Sequence, residues 1–188
     1  MKRKIILFIA FISGVSTVSY AQNTFTGGDK VVNLGVGIGN FIAVKDAKTT
    51  FMPLSLSYEY CAKGDLFDSN SAFGIGALIG YYGAKYEVPN VNFGYNYNYA
   101  LFGLRANIHY QFIDRLDTYL GGMFGYNLAV STTYGDKNLK DTYPSAKAGG
   151  LGSAVYVGGR YYFLEKLALF GEVGYGISPL TIGLALKL

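Results

Sequence analysis

The sequence predicts an all-β fold: eight antiparallel strands closed into an up-and-down transmembrane β-barrel. Three observations predict it. Apolar residues recur at every second position in eight separate stretches, the connections between those stretches tend to alternate between long and short, and the composition combines 26 Gly and 18 Tyr with four Pro and no Trp. Period two marks strands with one face in apolar surroundings. Tyr and Gly at this density suit strands with close backbone contacts and aromatic interfaces.

The chain opens on a targeting segment. Lys2, Arg3 and Lys4 precede an apolar run from Ile5 to Val15 and a small-x-small ending at Ser19 and Ala21, the pattern of a secretory signal cleaved after Ala21. The run is shorter than the roughly 20 residues a spanning helix needs. The expected organisation is a signal peptide at 1–21 and one barrel domain at 22–188. Removing three of the 16 basic residues leaves 13 against 12 acids, so the net charge falls from +4 to +1. The basic balance belongs mostly to the signal and implies no nucleic-acid partner. Cys61 is the single cysteine, which rules out an intramolecular disulfide and reads as a buried or turn thiol.

The first strand places Val32, Leu34, Val36 and Ile38 on one face and Asn33, Gly35, Gly37 and Gly39 on the other. In the second, Met52, Leu54, Leu56, Tyr58 and Tyr60 alternate with Ser55, Ser57 and Glu59. The third sets Phe73, Ile75, Ala77, Ile79 and Tyr81 against Gly74, Gly76 and Gly80. The fourth is the cleanest: Phe102, Leu104, Ala106, Ile108, Tyr110 and Phe112 alternate with Gly103, Arg105, Asn107, His109 and Gln111.

The fifth strand, about 118–130, carries glycine and apolar residues on both faces. Leu120, Phe124, Tyr126, Leu128 and Val130 are assigned outward because Asn127 then points in. The sixth turns Val155, Val157, Tyr161 and Phe163 outward, opposite Tyr156, Gly158, Arg160 and Tyr162. Leu169, Val173 and Tyr175 face outward on the seventh, and Leu180, Ile182, Leu184, Leu186 and Leu188 on the eighth. The last strand is expected to end on Leu188 because it pairs with the first to close the ring.

Three connections are long and polar (40–50, 84–97 and 131–150), whereas "IDRLD" and "LEKL" are short; the first inner-side turn, "CAKGDLFDSN", is longer than this pattern expects. Strands of about 9–11 residues joined this way describe an outer-membrane barrel with long loops outside and short turns in the periplasm. Closure also leaves no sheet edge unpaired in lipid. A lipocalin-like soluble barrel would need a polar exterior, and the minority faces here, mostly Gly, Ser and Asn with few charges, would make a poor one.

The cluster "GVGIGN" superficially resembles a dinucleotide fingerprint, but its glycines lie at period two inside a strand with no helix following. No cofactor is implied. His109 is the single histidine; it should lie inside the barrel near the periplasmic end, hydrogen-bonded, with no catalytic set and no metal-ligand spacing around it. No catalytic residue and no metal ligand are therefore assigned.

Inward charges are expected at Glu59, Arg105, His109, Arg160, Glu172 and Lys187. An unpaired charge in a narrow lumen is costly, so these should form a network that plugs it. A "LEKL" turn centred near Lys166 would set Arg160 directly opposite Glu172 as the main pair. The tyrosines of "NFGYNYNYALF" and "YYGAKY" read as interfacial girdles or as contacts for an extracellular ligand or protein at loops 84–97 and 131–150.

With these residues on the page, the chain resembles the small outer-membrane β-barrel domains, the OmpA- and OmpX-like proteins and their porin-family relatives, over essentially the whole mature length. Thr181, Gly183, Leu186 and Leu188 match the polar-x-Gly-x-x-apolar-x-apolar ending such proteins present to the barrel assembly machinery. The match departs at Leu188, where Phe is usual, and at Leu186, where an aromatic is common. The stretch "GEVGYGIS" also resembles the penultimate strand and outer turn of these barrels.

The resemblance implies outer-membrane lipids as surroundings, in a Gram-negative-type bacterium, and the assembly machinery as a partner. The expected function is non-enzymatic: a side-chain-filled barrel displaying loops for surface structure or interaction. A small passive channel is the main competing reading, although eight strands enclose an interior just wide enough for side chains to fill. A lipid-modifying barrel enzyme is disfavoured by the solitary, badly placed histidine.

Overall fold

In the computed structural model, residues 24–39 and 46–188 are described. The signal segment and its cleavage point lie outside these residues, as do 40–45 of the first long connection. The eight strands are β1 (Lys30–Ile38), β2 (Lys48–Gly64), β3 (Ser71–Glu87), β4 (Phe93–Ile113), β5 (Leu116–Gly135), β6 (Ala146–Tyr162), β7 (Leu167–Tyr175) and β8 (Leu180–Lys187). One short helix, α1 (Lys137–Thr142), interrupts the β5–β6 connection. Its first turn is capped by Asp136, whose Oδ1 accepts from the Asn138 N–H at 2.9 Å, as helix starts commonly are.

Each strand pairs antiparallel with its neighbours, and the ring closes where β1 meets β8, with Val32 opposite Leu186 and Ile38 opposite Leu180. The predicted outward residues stand on the outer wall: Leu34, Leu56, Ile79, Leu104, Phe124, Val157, Leu169 and Leu184 are all well exposed. Inside, Glu59, Arg105, His109, Asp117 and Arg160 are buried. This is the reverse of a water-soluble barrel.

The strands are unequal. β2 to β6 run for 17 to 21 residues, whereas β1, β7 and β8 run for eight or nine. Of two expected loops, 84–97 is therefore mostly strand and 131–150 half strand: β3 and β4 stay paired up to Glu87 opposite Gly94, and β5 and β6 up to Ser131 opposite Ala146. Only 88–92 and 136–145 connect them. Asn90, with φ +62°, turns the first of these hairpins, a left-handed backbone that Asn tolerates.

The reason these extensions do not read as strands lies in the phase of their alternation. On β4, Phe102, Leu104 and Ile108 face out while Arg105 and His109 face in. Without any break in register, Asn96 and Asn98 then continue the outer face, and Tyr95, Tyr97 and Tyr99 the inner one. β3 does the same, with Ile75, Ile79 and Tyr81 outside giving way to Lys85 and Glu87, and Tyr82 and Tyr86 taking the inner face. The polarity of the two faces exchanges near Leu101, and the rule that locates the lower strand fails above it.

Candidate functional site

The lumen is the candidate site, and six strands build it. Its centre is Arg160 of β6, fully buried. The guanidinium donates through Nη1 to Asp117 Oδ2 at 3.0 Å, through Nε to Asn33 Oδ1 at 3.1 Å, and through Nη2 to Glu59 Oε2. Such a fork matches the geometry of several acceptors at once, which an ammonium does not. His109 lies between the same two carboxylates, with Nδ1 2.8 Å from Asp117 Oδ1 and Nε2 2.8 Å from Glu59 Oε1.

A second layer sits on the hairpin side. Arg105 donates through Nη2 to Glu172 Oε1 at 2.6 Å, and Tyr119 donates to the same oxygen at 2.8 Å. Neutral groups join the layers: Asn107 donates to Glu59 Oε1 at 2.5 Å and accepts from Tyr156 at 2.8 Å, while Ser57 accepts from Asn33 at 2.8 Å and from Arg105 at 3.3 Å. Arg105 also lies 4.6 Å over the Tyr156 ring, and Arg160 4.8 Å over Tyr119.

Both imidazole nitrogens face carboxylate oxygens, which in their ionised form only accept, so the ring serves both when it carries two protons. The cluster then balances Glu59, Asp117 and Glu172 against Arg105, His109 and Arg160. Balance of this kind makes buried charge tolerable. The backbone is shaped for it: a Cβ at Gly74 would collide with the Glu59 carboxylate, and one at Gly158 with the Tyr119 ring.

The expected Arg160–Glu172 pair does not form. The β6–β7 turn is centred on Glu165, one residue earlier than expected, so Arg160 faces Phe170 and Glu172 faces Gly158. The two side chains keep their inward face but join different layers. Lys187 also stands apart: its Nζ is 2.7 Å from Asp29 Oδ2 and 3.3 Å from Thr24 O, at the turn-end mouth.

That mouth is closed by a segment with no strand pattern to announce it. Residues 24–29 fold back beneath the ring, where the Thr24 N–H and hydroxyl donate to Gln111 Oε1 at 2.7 and 2.9 Å. Phe25 is buried, with its ring 4.3 Å from His109 and 5.6 Å from the Arg160 guanidinium. It packs with Val31, Cys61, Ala72, Tyr162, Ala168 and Phe170, so Cys61 is a buried free thiol. At the other end Ile177, from the β7–β8 turn, packs onto Leu78, Leu101, Met123 and Tyr156. Between this lid and Glu172 remains a cavity of about 40 Å³, room for a few waters.

Chemically the arrangement ties strands together and fills space. Among the described residues His109 has no nucleophile within hydrogen-bond reach, and no group of His, Cys, Asp or Glu could hold a metal. Sequence reasoning missed Asp117, Asn33, Ser57, Asn107, Tyr119, Tyr156 and Phe25 as members of this cluster. All but Phe25 share the inward parity of predicted residues on their strands; Asp117 was hidden by its place in the "IDRLD" turn. Thr181 and Gly183 lie on the inner face of β8 and Leu186 on its outer face, and the Leu188 N–H donates to Lys30 O at 2.9 Å.

No protein-family model matches the chain, and no curated protein matches it in sequence. Among solved structures it is similar to the outer membrane protein OprG from Pseudomonas aeruginosa, with a TM-score of 0.51 at 12% identity over 89% of this chain and 99% of that one. It is also similar to Ail, the attachment invasion locus protein of Yersinia pestis, in complex with the heparin analogue sucrose octasulfate. There the TM-score is 0.50 at 10% identity, over 86% of this chain and 96% of that one. These likenesses and the closed ring of β1 to β8 establish the fold: the chain is an eight-stranded antiparallel closed barrel, the fold that these outer-membrane proteins share.

Proposed function

We propose that this is a non-enzymatic integral protein of the outer membrane, its lumen closed to solutes, which projects two long hairpins outside the cell for surface structure or interaction. The observation that carries the reading is a lumen filled from end to end, by Phe25, the ion network and Ile177, inside an apolar wall. Between Phe102 and Phe112 the outer face of β4 runs about 33 Å along the strand. At the ~40° tilt usual for such barrels this rises about 25 Å, the height of their apolar band. Outward Tyr81, Tyr126 and Tyr175 toward one end, and Tyr58, Tyr60 and Tyr161 toward the other, suit the interfacial girdles.

In this reading the short turns and both ends of the barrel chain face the periplasm, which the protein reaches through the signal at 1–21. Lipid surrounds the wall, and the Thr181 to Leu188 ending is what the assembly machinery reads. A channel would need a continuous aqueous path, which the network interrupts. In a planar bilayer the purified protein should give no stable single-channel steps; large, long-lived steps would overturn the closed-lumen reading. In detergent it should show a β-type circular dichroism spectrum and a heat-dependent shift in gel mobility.

A further inference from the structure

Above the level of Leu101 the ring is no longer complete. β7 first pairs with β6 at Tyr175 opposite Val155, so on β6 the stretch from Ala146 to Ala154 has no described strand on its far side. The face continuous with the lumen is therefore reachable from the side. On β3 and β4 that face carries Tyr82, Tyr86, Tyr95, Tyr97 and Tyr99, each partly exposed. Interfacial girdles do not account for them, because girdle aromatics point toward lipid.

The rings form a ladder. Tyr95 and Tyr97 have centroids 6.0 Å apart and planes 21° apart, Tyr97 and Tyr99 6.4 Å and 25°, and Tyr82 lies 4.6 Å from Tyr99 at 11°. The spacing follows from the two-residue strand repeat, about 6.7 Å. None of the Tyr95, Tyr97 or Tyr99 hydroxyls has a hydrogen bond among the described residues.

Beside the ladder the floor is low. Thr133, Ser131 and Ala129 of β5 stand opposite Tyr95, Tyr97 and Tyr99, and beyond them lie Ala146 and Ala148 of β6. A Cβ added at Gly150, on the same face, would meet nothing within 4 Å. The short side chains there stand lower than the rings, and the strip of face beside them is termed the trough.

The strand residues of this face lack formal charge; the charged residues Asp136, Lys137, Lys140 and Asp141 belong to the connection whose Tyr143 packs on Phe93 at the far end of the face. Lys85, Glu87 and Lys147 all have the opposite parity and point away from it. An anionic or cationic ligand lying along the rings would find no counterion on the floor of β5 and β6, and a purely apolar one would strand the hydroxyls of Ser131, Thr133 and the tyrosines. Parallel rings edged with hydroxyls match a ligand whose residues have an apolar CH face and a polar rim.

We propose that this trough binds an uncharged polysaccharide chain, with pyranose faces stacked on Tyr95, Tyr97 and Tyr99. The proposal rests on the reading of the protein as a membrane barrel that holds these hairpins outside the cell. It names the class of ligand for the display surface.

The test uses the mature chain in a sugar-free zwitterionic detergent, titrated calorimetrically with maltohexaose, cellohexaose and a sulfated hexasaccharide. Saturable binding of a neutral hexasaccharide is expected. Tyr97→Ala and Gly150→Leu should weaken it at least tenfold, whereas Asn96→Ala, on the other face of the same strand, should leave it unchanged. All three variants should keep the wild-type heat-dependent gel shift. No binding of either neutral probe by a folded barrel overturns the proposal and leaves the barrel reading standing. Binding of the sulfated probe alone, abolished by salt, also overturns it. A chain that stays soluble without detergent removes the membrane reading, and the trough's ligand with it.

Discussion

The lower lumen and the upper trough are one continuous surface with opposite chemistry. Below Leu101 the inner face carries the charge network of Glu59, Arg105, His109, Asp117, Arg160 and Glu172 and the outer face is apolar; above it, the inner face carries uncharged aromatics and the outer face carries Lys85, Glu87 and Lys147. A strand with lipid on one side can place its charges only inside, where they must be paired. Once water wets both sides, charges serve on the outside and the inner face is free to carry rings. In the proposed membrane setting, the exchange of polarity marks the edge of the apolar slab from within the chain.

The sharpest way to break this contrast is to unpair the lower cluster. Arg160→Met leaves the carboxylates of Glu59 and Asp117 buried without their main cation, a loss of about 3–5 kcal/mol. Urea unfolding in micelles, followed by the gel shift, should show it as a lower midpoint. Tyr97→Ala, in the partly exposed trough, should move the same midpoint by less than about 1 kcal/mol. Equal effects from the two substitutions would erase the distinction.

Phe25→Ala should come next. Truncating a buried Phe typically costs about 3–5 kcal/mol, and this ring covers the exposed end of a sheet rather than its middle, so the low end is expected. The same variant should let water reach His109, seen as faster exchange of its ring protons by NMR. A protected ring in Phe25→Ala would mean that the network, without the cork, already seals the mouth.

The division of the network into two layers can be read from double-mutant cycles. Arg105→Met with Glu172→Gln should show a coupling of about 1–3 kcal/mol, and Arg160→Met with Glu172→Gln less than about 0.5 kcal/mol. The reverse order would restore the pairing expected from the sequence.

How much was legible follows from the same physics. Strand count, closure and the facing of Glu59, Arg105, His109, Arg160 and Glu172 were readable because an apolar outer face imposes an alternation that survives in the sequence. Partnership within the lumen was not. It depends on the turn centre, and a shift from Lys166 to Glu165 moves the residue opposite Arg160 from Glu172 to Phe170 without changing any face. Asp117 was legible by parity yet read as turn. The link between β4 and β5 is only Asp114 and Arg115, and in so polar a run nothing in the composition marks where the strand resumes. Phe25 had no signal at all: its role exists only once the mouth is formed around it.

The smallest expected effect tests the wet side of the hairpin. Lys85 Nζ lies 2.8 Å from Glu87 Oε1 and 4.5 Å over the Tyr134 ring. The hydrogen bond from Lys85 holds the Glu87 carboxyl below its ordinary range, so the stabilisation it adds is present above the unfolded carboxylate range and lost as pH falls through the lowered value. Solvent and salt screen such an exposed pair strongly. Amide protection factors in 88–92 should therefore drop modestly on acidification in the wild type and not in Glu87→Gln, with the urea midpoint of the barrel the same for both proteins at neutral pH. A shift of that midpoint in Glu87→Gln would tie the hairpin tip to the lower lumen and end the independence of the two regions.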